Sequence, residues 1–200
     1  MSTPAWVSAR MERGILLLFI AAGVVMGFAL ALPGIRSAVG IATGAGGFSL
    51  LTDATVVTTP GAPITARYES AWVITDELGS GARTLLVLGA AAGALTTFLT
   101  VGSVMLFFLL LLWRRPFHRA LVVATRVAGA SLLIGGILSA GLGGLGRMMA
   151  ADELNPAAGD VFVIGSSFDP AWALVGLGVL ALSVVFSYGI RLQRDTEGLV

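Results

Sequence analysis

Apolar positions in this chain neither alternate nor keep to one helical stripe; they form long unbroken runs. Four such runs, 14–32, 84–112, 120–146 and 170–190, are apolar on every face. A helix crosses a hydrocarbon core about 30 Å thick with about 20 apolar residues, so each run predicts a transmembrane helix. Pro33 is expected to end the first run, because it cannot continue the helical hydrogen-bond ladder. The second run carries no charge; at 1.5 Å per residue it would be about 43 Å long. It must tilt or project into water.

Polar positions collect between the runs. The intervening segments are 33–83 and 147–169 on one side, 113–119 and the tail 191–200 on the other. Within 33–83, the stretches 49–59 and 64–75 are rich in Val, Ile, Thr, Tyr and Trp and flank Pro60-Gly61-Ala62-Pro63. Strand formers on either side of a Pro-Gly turn predict a β-hairpin. A lone hairpin is marginal in water, and Val161-Phe162-Val163-Ile164 supplies a natural third strand. The predicted fold class is an all-α membrane protein: a four-transmembrane-helix bundle, one membrane domain over 1–200, with a small extracytoplasmic β element.

Composition agrees: 56% of residues are hydrophobic and 12% charged, with a mean hydropathy of +0.95. A soluble domain has about a quarter of its residues charged. Lysine is absent, a usage that points to GC-rich bacterial coding. Cysteine is absent too, which excludes disulfides and thiolate chemistry. The first run is longer than a signal-peptide core of about 7–15 residues, so it is expected to be retained.

The arginines set an orientation. Arg10, Arg13, Arg114, Arg115, Arg119, Arg126, Arg191 and Arg194 share one side with Glu12, Asp195 and Glu197. The other side carries Arg36, Arg67, Arg83 and Arg147 against eight carboxylates, among them Asp53, Asp76, Asp152, Glu153 and Asp160. The positive-inside rule makes the arginine-rich side cytoplasmic. An even number of helices then puts both termini inside, in the bacterial cytoplasmic (inner) membrane. Trp113 and Trp172 stand at helix ends, at the depth interfacial indoles prefer.

Small residues mark the packing faces: Gly23 and Gly27, Gly89 and Gly93, Gly135 and Gly136. In lipid, helices associate through the close backbone approach that such residues permit. They serve packing within the bundle, or a dimer across the first or second helix. Arg126 lies inside the third run, where its stem can snorkel to the headgroups or reach Asp195 or Glu197 in the tail. Arg115 and Arg119 are further candidates for pairing with those tail carboxylates, or for docking a partner. Thr96, Thr97, Thr100 and Ser103 are expected to bond their own helix carbonyls.

Chemistry-bearing constellations do not emerge. His118 is the sole histidine, too little for a metal centre. Asp152, Glu153 and Asp160 lack the spacing of a calcium loop. No apolar run contains a carboxylate, as the proton relay of a pump would require. Phosphate loops, nucleophile elbows and zinc-protease helices are missing. The expectation is a non-enzymatic protein without cofactors or direct nucleic-acid binding. Its partners would be the lipid bilayer and a cytoplasmic regulator or other membrane subunits, including further copies of itself.

The end of the chain is its most distinctive part. The stretch from Phe186-Ser187-Tyr188-Gly189-Ile190-Arg191-Leu192 to Glu197-Gly198-Leu199-Val200, with Pro116-Phe117 in the inner loop, resembles the bacterial membrane proteins grouped as domain of unknown function 2975, the YoaS-like family. The sequence departs from that family's inner loop, which continues to an Asn and an Arg pair; here Leu121 and Ala124 stand near those places. The resemblance implies four helices with both ends inside and no assigned activity. Family members are often encoded beside a small helix-turn-helix regulator, which implies a regulatory or sensory role.

Overall fold

A computed structural model of the chain describes residues 5–56, 66–113 and 119–197, with side chains between 14 and 192 inside those ranges. The elements are helix α1 (Ala5–Thr43), strands β1 (Gly47–Leu51) and β2 (Ser70–Ile74), and helix α2 (Ser80–Leu112). Helix α3 (Arg119–Ala130) follows, then a π-helical turn (Ser131–Gly135), α4 (Gly136–Ala158) and α5 (Ala171–Glu197). Four helical stretches are long and apolar enough to cross a membrane: Gly14–Thr43, Ser80–Leu112, Arg119–Ala158 and Ala171–Leu192.

Each helix outruns its apolar segment. Pro33 does not end α1, which continues to Thr43; a proline removes one ladder bond, and an apolar helix tolerates it where neighbouring groups compensate. Its real stop is Gly44, in the left-handed region at φ 73, whose N–H bonds the Ile41 carbonyl at 3.2 Å. The third helical stretch runs beyond Gly146 to Ala158, so Asp152 and Glu153 lie on α4 rather than in a loop. It ends at Gly159 (φ 75) and Asp160 (φ 58). There the Asp160 N–H bonds the Asn155 carbonyl at 3.1 Å, the wrap-around closure of a Schellman motif. The fourth helix continues past Ile190 through the tail to Glu197. Hydropathy marks the apolar stretch of a helix, whereas backbone bonding decides where it stops.

The chain divides into two compact units that share helices: residues 1–31, 95–136 and 170–200, and residues 32–94 and 137–169. In the first unit Gly23 faces the Met105 side chain and Gly27 faces Val101, so α1 and α2 touch where α1 lacks side chains. Phe19 stacks on Phe108 with centroids 5.4 Å apart. A Cβ at Gly129 would meet the Leu180 backbone nitrogen at 2.8 Å, and one at Gly176 the Leu133 nitrogen at 2.8 Å. Helices α3 and α5 therefore run antiparallel, backbone against backbone.

In the second unit Gly89 lies against the Gly143 backbone, and a Cβ at Gly89 would come within 2.5 Å of its nitrogen. The buried core joins Ile41, Phe48, Leu50, Leu78, Ala82, Leu86, Ala150 and Ala151. β1 and β2 pair antiparallel, with Ser49 opposite Trp72 and Leu51 opposite Ser70. The ladder extends through Tyr68 N–H to Ala54 O at 2.9 Å and Val56 N–H to Ala66 O at 2.9 Å. The expected Pro-Gly turn lies outside the described residues. The expected third strand is reduced to a single antiparallel bridge, Thr52 with Phe162.

Candidate functional site

Two places gather polar groups with defined geometry. The first is the attachment of the sheet in the second unit. Asn155 donates from Nδ2 to the Phe162 carbonyl at 2.9 Å, and its Oδ1 accepts the Phe162 N–H at 2.9 Å. The carboxamide thus replaces a neighbouring strand on one side of Phe162. On the other side Val163 N–H bonds Leu51 O at 3.0 Å, and Thr52 Oγ1 donates to Val161 O at 2.7 Å. The Glu153 carboxylate accepts the Gly79 N–H at 2.8 Å, a negative charge at the N-terminus of α2, where the helix dipole favours it. Arg83 donates from Nη2 to Asp76 O at 2.7 Å, while its Nε is buried without a partner.

Beside this attachment lies an open cleft of about 420 Å³ lined by Thr52, Ala54, Tyr68, Ser70, Ala71, Val161 and Phe162. No charged side chain lines it; its rim carries the exposed Arg67–Asp53 ion pair at 3.0 Å. Trp72 and Ile74, each 67% exposed, stand on the open face of β2. Trp72 lies over Gly47, where a Cβ would strike its indole.

The second place is the α3–α5 seam in the first unit. Arg126 is exposed and donates from Nη2 to Ser187 Oγ at 3.4 Å; Ser187 Oγ donates in turn to Ser183 O at 2.8 Å. Arg119 opens α3, and Arg191 lies one turn beyond Ser187 on α5; both are exposed. Arg126 therefore meets Ser187. Because α5 stays helical to Glu197, Asp195 lies about 12 Å farther along the axis than Ser187. Arg115 lies outside the described residues, as do the side chains of Asp195 and Glu197.

Of the small-residue positions, Gly93 faces Ser139 Oγ in the second unit, whose hydroxyl donates to Gly89 O at 2.8 Å. In the first unit Gly135 faces Thr96, and a Cβ at Gly136 would lie 3.7 Å from the Trp172 Cβ. Ser103 bonds its own helix at Leu99 O, 2.7 Å. Thr100 instead meets Ser131 Oγ at 3.2 Å, at the opening of the π-helical turn. His118 lies outside the described residues, and among those described no three His, Asp or Glu side chains gather as metal ligands.

Asn155, Ser187 and the Glu153–Gly79 bond carry no spacing signature; only tertiary placement distinguishes them. No protein-family model matches the chain, and no curated protein or solved structure matches it either.

Proposed function

We propose that this chain is a four-pass protein of the bacterial cytoplasmic membrane, with both termini inside, and that it acts without catalysis as a regulatory or sensory component. The observation that carries the topology is the segregation of arginines and carboxylates around four apolar helical stretches. Support also comes from the wealth of exposed apolar side chains on those helices, such as Leu18, Val25, Leu95 and Val185, which suit lipid and not water. The outer sheet, with its uncharged cleft and exposed Trp72, is the receiving element of this reading. One helical stretch, Arg119–Ala158, carries both Asn155 and the inner arginines, so it links an outer event to the cytoplasmic face.

The resemblance of the tail to the YoaS-like proteins favours a cytoplasmic partner of the helix-turn-helix kind. Arg119 with Asp195 and Glu197 would form its docking surface. Affinity purification in mild detergent, with the full chain and with a chain ending at Arg194, tests this. A soluble regulator that co-purifies with the first and not the second is expected. An unchanged set of partners after truncation would overturn docking at the tail. The second reading, an accessory subunit of a larger membrane complex, is favoured by the breadth of apolar surface left open on α1 and α5. It predicts stoichiometric membrane subunits in the same experiment, or a second copy of this chain.

A further inference from the structure

The geometry points to the α3–α5 seam as a binding site for one anionic phospholipid, with Arg126 holding the headgroup phosphate. This rests on the membrane reading above and adds a ligand to it. On α3, Arg119, Val123, Arg126 and Val127 follow helical spacing along one stripe. On α5, Val184, Ser187, Tyr188 and Arg191 do the same. The three valines and Tyr188 are exposed, as are the three arginines. The Arg126–Ser187 bond joins the two stripes side by side. Because the helices run antiparallel, Arg119 and Arg191 fall at the same end of the two stripes, with Val127 and Val184 toward the other.

The arrangement matches a phospholipid in charge and polarity. Arg119 and Arg191 stand toward the cytoplasmic end of the seam, and Arg126 lies about 10 Å farther along α3, two turns in, with a stem long enough to lift its guanidinium toward the headgroup phosphates. A guanidinium at that depth is costly without a counter-charge. It offers five donors, yet among the described residues it has one hydrogen bond, at 3.4 Å, beyond good geometry. The planar fork suits a bidentate phosphate. Tyr188, exposed at the same level, is a residue type that favours the headgroup layer. Val127 and Val184, beyond Arg126 and Ser187 on their stripes, leave an apolar strip for the acyl chain. Helical α5 carries the Asp195 backbone about 12 Å along the axis beyond Ser187.

Native mass spectrometry of the full chain in mild detergent, with phosphatidylglycerol or phosphatidylcholine added at equal concentration, tests the site. Phosphatidylglycerol should be retained in preference, and Arg126→Gln should weaken that retention about tenfold. Arg126→Lys, which keeps the charge and loses the fork, should fall between, and Arg67→Gln on the outer sheet should have no effect. Equal retention of both lipids, an unaltered Arg126→Gln, or full displacement by millimolar inorganic phosphate would each overturn the lipid site. Carbonate-washed membrane pellets separate the two levels of the argument. A wild-type chain released by the wash overturns the membrane reading itself. Pelleted protein with unchanged lipid retention overturns only the site. If Arg126→Gln fails to accumulate, Ser187→Ala decides: weakened phosphatidylglycerol retention supports the site, and unchanged retention refutes it.

Discussion

Asn155 fastens the segment beside the sheet to α4, because its carboxamide satisfies both backbone groups of Phe162 at 2.9 Å. Removing it leaves a partly buried N–H and C=O unpaired, a loss of about 1–3 kcal/mol. Asn155→Ala should therefore lower thermal stability in detergent and speed hydrogen exchange at the Phe162 amide. Asn155→Asp should also destabilise: it keeps the acceptor for Phe162 N–H but sets a carboxylate oxygen against the Phe162 carbonyl. The glycines divide as sharply. A side chain at Gly89 would press on the Gly143 backbone, whereas Gly102 has nothing within 4 Å. Gly89→Val should cost about 1–3 kcal/mol through overpacking. Gly102→Ala should be neutral or stabilise by up to about 1 kcal/mol, since it only removes glycine's flexibility from a helix. Thermal melts of the two variants, side by side, check both values.

At the scale of elements, the antiparallel sheet is the most specific statement to test. The chain has no cysteine, so an introduced pair reports without background. Cysteines at Ser49 and Trp72, directly opposite in the register, should form a disulfide under mild oxidation. A pair at Ser49 and Val73, one residue out of register and on opposite faces, should not. The four apolar helical stretches were legible from the sequence, since run length alone reports them. So was the hairpin pairing, because strand-forming Val and Thr precede Pro60-Gly61 and Ile, Tyr, Trp and Val follow it. The helix ends were not: Pro33 looks like a stop and is not one, while the real stops depend on the left-handed backbone at Gly44 and Gly159. The π-helical turn left no trace in the sequence, as its five residues are ordinary apolar ones with one serine. Of the candidate site residues, Arg126 stood out as a charge within an apolar run. Its partner Ser187 did not, because a serine at a helix end has many uses.

For the molecule as a whole, the orientation proposed from the arginines makes a direct prediction. Single cysteines at Ala62 and Ala157 should react with an impermeant thiol reagent on spheroplasts, while one at His118 should react only after lysis. Labelling of the His118 site from outside would reverse the topology and move the Arg126 seam to the outer leaflet. The paired hydrogen bonds of Asn155 with Phe162 have a consequence for how long the assembled protein lasts. Asparagines decay chiefly when the backbone nitrogen of the next residue attacks the carboxamide and expels ammonia through a cyclic imide. The next residue here is Pro156, whose nitrogen carries no hydrogen and cannot close that neutral ring. The one amide that fastens the Phe162 strand to α4 is thereby shielded from spontaneous conversion to aspartate.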